Sequence, residues 1–588
     1  MKYFNKNSFE LTPGAATRYL ESLGITKVNS FLYGPVEADY ESPWNLHNIQ
    51  KLIDGLHWAF TNNKKFFLQV DSDCDGITSS SIFYNYFKEL YPNAYIDYRI
   101  HDGKEHGVIL NTVPVWSDVI IIPDAGSNQI DEQYTLSESG RHVFIMDHHI
   151  VKDLNDNIPN VVVVNNQTSP EFKNKALSGA GVVYKVIQAY DEVYGGNTGL
   201  YKKFEDLAAL GIIADCMDTR ELDNNAIIRN GLKYINNKMF SALIKQQEFK
   251  VGNRIPNKTD IGFYVAPLIN AVIRAGDINE KTEFFKGFIT PNSEEIVHTT
   301  WRGEDRYETY YEFLARTAYN LRNRQNTQKE KSIQTICDKV EAENLDNNRI
   351  ILVKINAADV SPTITGLVAM DVQKKYNKPA LVLRPVLDNE RIYYRGSGRA
   401  SEAENFDSFM NVLLESGVMD YVEGHDNAFG ASILEDNIPA LLSFMNDRLA
   451  DIDFGAFNPV DAAMTDSNWN SGVLREFANI TDTFGQGMEQ PKFYFKFQVP
   501  PSECRVQGSR SDSLKISYKN VSFVCFQNKE IVNQYWEMYE KTLKTKEELQ
   551  IECIGKAVIN EYQGYRNLNV MVESIELNLV PQKSKKLF

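Results

Sequence analysis

Four short apolar runs in the first third of this 588-residue chain each end in polar or ionisable residues, and that pattern constrains the fold more than any other feature. The runs cover 66–70, 119–122, 143–146 and 161–164. They lead into Asp71-Ser72-Asp73-Cys74-Asp75-Gly76, Pro123-Asp124-Ala125-Gly126, Asp147-His148-His149 and Asn165-Asn166. Runs of this length, rich in Val, Ile and Phe, read as strands buried on both faces, as in a parallel sheet. Helical spacing surrounds the first of them: Leu52, Ile53, Leu56 and Phe60 come before it, and Ile82, Phe83, Tyr86, Phe87 and Leu90 come after its acidic loop. The expected unit is β-α-β. In such a sheet ligands collect beyond the carboxyl ends of the strands, so the four polar termini are expected on one edge. Asp215 ends a further helical stretch, 204–213, and the turn Leu177-Ser178-Gly179-Ala180-Gly181-Val182 suits a helix that packs closely on a sheet or faces a phosphate.

Taken singly, Asp124 reads as a turn residue, Asp215 as a helix-terminal carboxylate, and His148-His149 as a polar strand end. Together, Asp71, Asp73, Asp75, Asp124, Asp147, His148, His149 and Asp215 crowd many ionisable groups at element ends, where unpaired charges are costly. A hard divalent cation relieves that repulsion. An EF-hand is excluded, because the twelfth position counted from Asp71 is Ile82 rather than Glu. Oxygen-rich ligation with imidazole suits Mn²⁺ or Mg²⁺ better than structural zinc, which favours thiolates. The number of carboxylates suggests two ions sharing a bridging Asp. Such a pair, about 3.5–4 Å apart, activates water and clamps a phosphoryl group, so metal-dependent phosphoester hydrolysis is the expected chemistry.

A formal net charge of -16 argues against indiscriminate adhesion to nucleic acid while permitting a basic groove on an acidic body. The six cysteines are scattered without a CxxC pair, as expected of free thiols in a reducing cytosol. With no run of about 18 apolar residues and no apolar leader, a soluble, cytoplasmic monomer without a membrane partner is expected.

The length implies about three or four domains. We expect a lead-in over residues 1–50, a parallel-sheet α/β catalytic domain over 51–300, a linking helix over 301–344, a smaller α/β domain over 345–455, and an OB-like β-barrel over 456–588. In the smaller domain, strands at 350–353 and 380–383 and a helix at 363–376 precede Gly396-Ser397-Gly398, read as a loop whose backbone N–H groups cradle an anion beneath Arg399. In the last domain five strand-like stretches, 492–499, 514–518, 521–526, 549–557 and 570–577, with a helix at 529–543, suit a five-stranded barrel of the kind that binds single strands. Lys583-Ser584-Lys585-Lys586 reads as a solvated basic tail.

The acidic and histidine motifs, together with Gly211-x-x-Ala214-Asp215, resemble the four motifs of the DHH phosphoesterase superfamily, in order. More narrowly they resemble the RecJ-like exonucleases specific for single-stranded DNA. Tyr98-Arg99-Ile100-His101 with Glu105-His106-Gly107 is similar to the segment between the first two motifs. Pro267-Leu268-Ile269-Asn270-Ala271 with Arg274, Glu423-Gly424-His425, Phe484-Gly485-Gln486-Gly487 with Glu489 and Pro491, and Gln563-Gly564-Tyr565 fit the same family. That family usually has Arg where Leu268 stands and Gly where Glu423 stands.

The resemblance implies that Asp73, Asp75, Asp124, His148 and Asp215 ligate two Mn²⁺ or Mg²⁺ ions, with Asp124 bridging. Asp71 and Asp147 would be ligands or orienters, and His149 would face the scissile phosphate. Arg274, Ser397, Arg399 and His425 would hold substrate phosphate. It implies 5′-to-3′ degradation of single-stranded DNA to 5′-mononucleotides, in recombination and repair or phage DNA metabolism, with a single-strand-binding protein or helicase as partner. Two rival readings are a DHH phosphodiesterase acting on short oligonucleotides or cyclic dinucleotides, whose relatives lack the extra C-terminal barrel, and a non-catalytic RecJ-like replication scaffold, which would have lost ligands that stand here.

Overall fold

The computed structural model describes all residues except 1–2, 6–8, 103–104, 153–155, 253, 291–292, 302, 357–359, 361–363, 402, 404–405, 407, 455–457, 486–487, 509, 544, 546, 563–564 and 582–588. The expected basic tail and the Gln486-Gly487 and Gln563-Gly564 motifs lie outside the described residues. The chain divides into two units, one of Glu21–Gln325 with Asp482–Glu489, the other of Met1–Leu20, Asn326–Thr481 and Gln490–Phe588.

The first unit is built on a parallel sheet. After helix α1 (Ile49–Thr61) come strand β1 (Phe66–Val70), helix α2 (Cys74–Leu90), β2 (Ile96–Ile100), β3 (Val119–Pro123), α3 (Ile130–Glu138), β4 (His142–Asp147), β5 (Val161–Asn165), α4 (Gly179–Val193) and α5 (Glu205–Ala214). The strand order is β2-β1-β3-β4-β5, and every pairing is parallel. Alternation along the strands sends Leu68, Ile121, Phe144 and Met146 into one apolar cluster, and Phe67, Ile120, Ile122, Val143 and Ile145 into another on the opposite face. Both faces are therefore buried, as the apolar runs require. The edge strand β2 is not legible as an apolar run, because its middle residues Asp97, Tyr98 and Arg99 are exposed or half-buried.

Helix α6 (Ala266–Ala275) continues directly from a π-helical turn, Ile261–Val265, with Pro267 in its first turn and Arg274 in its last. A two-stranded hairpin, β6 (Ile296–Trp301) and β7 (Glu304–Thr309), then leads into the long helix α7 (Tyr310–Ala342), within which the division between units falls.

The second unit contains two sheets beyond a short N-terminal pairing. In one, β8 (Ile351–Lys354), helix α8 (Thr365–Tyr376), β9 (Ala380–Asp388), β10 (Arg391–Arg399), β11 (Met419–His425) and β12 (Ala428–Leu434) give the order β11-β12-β10-β9-β8, with only β8 and β9 parallel. Here the structure corrects the expectation of a Gly-Ser-Gly loop. Residues 396–398 lie inside β10, paired on both sides with β9 and β12. Their N–H groups serve the ladder rather than an anion. The glycines answer to close packing: a Cβ on Gly396 would fall 2.0 Å from Val382 O, and one on Gly398 2.2 Å from the Phe429 ring.

The other sheet has β13 (Ala462–Thr465), β14 (Phe493–Val499), β15 (Cys504–Gln507), β16 (Ser513–Tyr518), β17 (Val521–Cys525), β18 (Glu547–Tyr562) and β19 (Tyr565–Pro581), in the order β13-β14-β18-β19-β17-β16-β15. All five expected strands are present. Among the described residues the sheet nonetheless has seven strands and does not close into the expected barrel. The two additional strands, β13 and β15, are four-residue edge strands, too short to announce themselves by alternation. Helix α9 (Lys529–Thr542) stands close to the expected 529–543. No helix among the described residues is long and apolar enough to cross a membrane.

Lys258, in the first unit, is 4 % exposed, its Nζ donating to Thr219 Oγ1 at 3.2 Å above the Phe31 ring. Burial, then the nearby Arg229, pulls its pKa from 10.5 down to about 7. A lysine whose folded pKa lies below its unfolded value takes up a proton on unfolding at intermediate pH, so its penalty is full at low pH and fades as pH rises toward 10.5. Lys258→Met should therefore be more stable than wild type at pH 7, and the gap should narrow by about 2 kcal/mol at pH 9. Urea midpoints at the two pH values measure this; a constant gap would show that the ammonium is not penalised.

Candidate metal centre

The carboxyl edge of the parallel sheet is where the chain's predicted ligands meet. Asp73 caps α2, its Oδ1 accepting from Gly76 N at 2.8 Å, so the acidic loop turns directly into a helix. Asp75, in the first turn of α2, is clasped by the start of α4. Its Oδ2 accepts from Gly179 N at 2.6 Å, and its Oδ1 from Ala180 N and Ser178 Oγ, each at 3.0 Å. The small-residue turn thus grips a carboxylate of the protein itself, at a helix N-terminus whose dipole favours negative charge. That role is not visible in the sequence, which shows only that something must approach the turn closely.

Asp124 follows β3 with a left-handed backbone (φ 64°), a conformation that Asp tolerates better than most residues, and its N–H donates to Met146 O at 2.7 Å. Its Oδ1 is buried without a hydrogen-bond partner among the described residues. His148 Nε2 lies 3.1 Å from that oxygen, 3.5 Å from Asp215 Oδ2 and 3.9 Å from Asp75 Oδ2. Asp215 caps the C-terminal end of α5. Glycines make this convergence possible: a Cβ on Gly179 would fall 2.3 Å from Asp124 Oδ1, and one on Gly211 2.3 Å from Asp75 Oδ1.

Two other carboxylates are spent on partners. Asp147 Oδ1 accepts from the N–H groups of His148 and His149 and lies 2.8 Å from His149 Nδ1, while its Oδ2 accepts from Ser127 N at 3.0 Å. Asp71 Oδ1 lies 2.8 Å from His101 Nδ1, and its Oδ2 2.6 Å from His106 Nδ1. His101 and His106 come from the segment after β2, and nothing in their spacing shows that both are aimed at Asp71.

Electrostatics separates the same groups. Burial, followed by the charges of Asp75, Asp73 and Asp71, pushes Asp124 well above the usual carboxylate range. Burial and then Asp75 and Asp73 push Asp215 up to about 8, and burial with Asp71 and Asp75 takes Asp73 to about 6. For Asp71, burial acts upward, but hydrogen bonds from His101 and His106 outweigh it and hold the pKa at about 2. Asp147 is held low in the same way by His149, whose own pKa rises to about 9 against the opposing effect of burial. Burial lowers His148, favouring the neutral imidazole that can ligate.

Three groups of side chains bring ligand atoms within 4.8 Å of one another: Asp124 with His148 and His149, Asp75 with His148 and Asp215, and Asp71 with Asp73 and Asp124. The donors are carboxylate oxygens and imidazole nitrogens, without a thiolate. An orphaned buried oxygen and carboxylates that raise one another's pKa fit a hard divalent cation.

Of the predicted phosphate contacts, Arg274 is near enough for the charge of Asp73 to act on its guanidinium. Ser397 and Arg399 lie in the other unit, at alternate positions of β10 and so on one face of its sheet. They approach the start of α8 so closely that a Cβ on Gly366 would sit 2.6 Å from Arg399 Nη2 and 3.5 Å from Ser397 Oγ. His425 ends β11 and, like Arg399, is paired with Ala428; its side chain lies outside the described residues.

Comparison with known proteins agrees with this layout. The DHH family, N-terminal domain, matches residues 65–212, and the RecJ OB domain matches residues 460–574. A Bacillus subtilis (strain 168) protein named as a candidate single-strand DNA-specific exonuclease derived from prophage SPbeta, YorK, is 33 % identical over 548 residues, 92 % of each chain. Crystal structures of RecJ from Thermus thermophilus cover 98 % of this chain. The Mn²⁺ complex has a TM-score of 0.69 at 19 % identity over 80 % of its own chain, and the Mg²⁺ complex 0.64 at 18 % over 78 %. At those identities the structures speak for the fold alone. With a third of its residues identical to YorK over nearly the full length of both, and the DHH and RecJ OB domains matched in order, the chain belongs to the RecJ-like branch of the DHH family.

Proposed function

We propose that this protein is a two-metal exonuclease that degrades single-stranded DNA from the 5′ end to 5′-mononucleotides. The observation that carries the reading is the sharing of ligands. Asp124 belongs to two of the three ligand groups, and His148 also belongs to two. Overlapping groups of this kind suit a pair of cations held by common residues, with Asp124 as the bridge. The single-strand substrate is taken from the name of the YorK relative, and the OB domain supplies a surface class that often holds such strands.

In this reading residues 51–300 form the catalytic domain, 345–455 the phosphate-holding domain and 456–588 the strand-binding domain. Asp73, Asp75, Asp124, His148 and Asp215 hold the ions. Bound Mn²⁺ or Mg²⁺ supplies Lewis-acid polarisation of phosphate and a lowered pKa for water. Asp147 fixes the ring of His149 and keeps it cationic, so that its Nε2 can donate to a phosphate oxygen. Asp71 organises the segment after β2 through two imidazoles. Arg274, Ser397, Arg399 and His425 hold substrate phosphate, the arginines through charge-assisted hydrogen bonds.

Folded Asp124→Ala and His148→Ala proteins should lose more than about 100-fold in rate, beyond the 10–100-fold typical of losing a group that only orients a ligand. EDTA should abolish wild-type cleavage and Mn²⁺ restore it. The assay uses end-labelled single-stranded DNA, duplex DNA and a cyclic dinucleotide. Degradation of long single strands that stalls at duplex supports the proposal; turnover of the cyclic dinucleotide alone, or binding without turnover, sinks it.

Arg399→Ala should raise the half-saturating concentration of a 5′-phosphorylated strand by about tenfold, in keeping with about 1.5–3 kcal/mol for a hydrogen bond to a charged group. The 5′-hydroxyl strand provides the comparison. Equal effects on both strands would remove Arg399 from recognition of the 5′-terminal phosphate.

A further inference from the structure

Asp71 holds two histidines that are used differently. His101 is fully buried and both its ring nitrogens are engaged, Nδ1 with Asp71 Oδ1 at 2.8 Å and Nε2 facing Gln69 Oε1 at 3.5 Å. It is a structural residue. His106 gives only Nδ1 to Asp71, at 2.6 Å; its side chain is 52 % exposed, and its Nε2 has no partner among the described residues.

The same construction stands beside it. His149 gives Nδ1 to the buried Asp147 at 2.8 Å and is likewise half exposed. The rings of His106 and His149 meet edge to face with their centroids 5.2 Å apart. Two buried carboxylates thus each hold the Nδ1 of a half-exposed imidazole, and the two rings are in contact. A carboxylate on Nδ1 orients an imidazole and stabilises its protonated form, which is how histidine serves as a proton donor in hydrolytic sites.

The position of His106 is fixed rather than incidental. Arg99 Nη2 meets Glu105 Oε2 at 2.6 Å, and Asp102 N donates to the same oxygen at 2.9 Å. On the other side Val108 N donates to Gln129 Oε1 at 2.6 Å. Between them Gly107 has a left-handed backbone (φ 68°), and a Cβ there would collide with Gln129 Oε1.

Cleavage of a phosphodiester expels the 3′ oxygen of the released nucleotide, which needs a proton at neutral pH. His148 is enclosed among carboxylates, and His149 shares a ligand group with Asp124 and His148. His106 lies against the ring of His149 and belongs to none of the three ligand groups. In-line displacement puts the attacking and leaving oxygens on opposite sides of phosphorus, so a donor for the leaving oxygen belongs away from the water-activating side.

Resting on the exonuclease reading, we propose that His106 is a second catalytic imidazole, whose Nε2 donates a proton to the leaving 3′ oxygen while His149 contacts the phosphate. The water oxygen forms the new P–O bond, the P–O3′ bond breaks with its electron pair on O3′, and the Nε2 proton moves to O3′. The attacking water's proton passes to solvent, and solvent reprotonates His106. The sum is one water consumed per bond broken.

The test is single-turnover cleavage of a single strand whose terminal linkage carries either the normal 3′ oxygen or a 3′-bridging sulfur, which leaves as a thiolate without needing a proton. His106→Ala and His106→Asn should lose about 100-fold or more on the oxygen linkage, in the range of general acid catalysis, with the half-saturating strand concentration changed less than about threefold. On the sulfur linkage both should lose less than about fivefold. The Asn variant retains an amide that can donate to Asp71, so agreement between the two variants separates chemistry from loop collapse. Equal losses on both linkages, or an effect confined to half-saturation, would overturn the assignment. Asp124→Ala should fail on both linkages. A wild-type protein inert on both would remove the exonuclease reading and this one with it, whereas an active wild type with unaffected His106 variants would remove this one alone.

Discussion

Repulsion among carboxylates at one edge of a parallel sheet is the constraint to which the first unit is fitted. Two unit charges 4 Å apart repel by about 4 kcal/mol at an effective dielectric constant near 20, so a few such pairs rival the 5–15 kcal/mol of net stability typical of a folded domain. The chain meets this in three ways. Asp71 and Asp147 are neutralised by imidazoles, Asp75 is held by N–H groups at the start of α4, and Asp73, Asp124 and Asp215 retain raised affinities for protons around a single buried His148. Repulsion remains within the third set, and a cation shared with Asp75 and His148 would relieve it.

Bringing these groups together requires backbones to approach where side chains would intervene. Gly76, Gly179 and Gly211 come from the first turn of α2, the start of α4 and the last turns of α5, and a Cβ on each would penetrate Asp71 or the carboxylates of Asp124 and Asp75. Glycine within a helix costs about 1 kcal/mol relative to alanine. The site needs it because α5 must bring Asp215 to the edge that β1 and β3 reach. These glycines, as much as the acids, define the centre.

The sequence made the central strands legible because apolar runs are all that a doubly covered parallel sheet permits, and each run's polar terminus marked the edge where ligands meet. It concealed β2, whose alternation is blurred by Asp97 and Arg99, and it misled at Gly396-Ser397-Gly398, where glycines that admit Val382 and the Phe429 ring mimic an anion-binding loop. For the centre itself, residue types and order identified the acidic and histidine groups. What they could not convey was allegiance: that Ser178, Gly179 and Ala180 serve Asp75, or that His101 and His106 both serve Asp71, depends on contacts between segments about thirty to a hundred residues apart.

The two departures from the family pattern differ in physical weight. Leu268 is fully buried in the apolar core of the first unit, so the place of the family's Arg is filled by a packing residue, while Arg274, in the last turn of the same helix, is a cation close enough for Asp73 to act on it. Glu423 is exposed on β11 and paired with Gly430, which pairs in turn with Ser397, so two strand spacings, about 10 Å, separate the carboxylate's row position from that of the serine. At that distance in water the repulsion on a phosphate is a few tenths of a kcal/mol, further reduced by a Debye length near 8 Å. An arginine hydrogen bond to phosphate contributes about 1.5–3 kcal/mol. On the proposed role of the Ser397 and Arg399 row, Glu423 would therefore temper the binding of a phosphate there without cancelling it, the guanidinium outweighing the residue that stands in place of glycine.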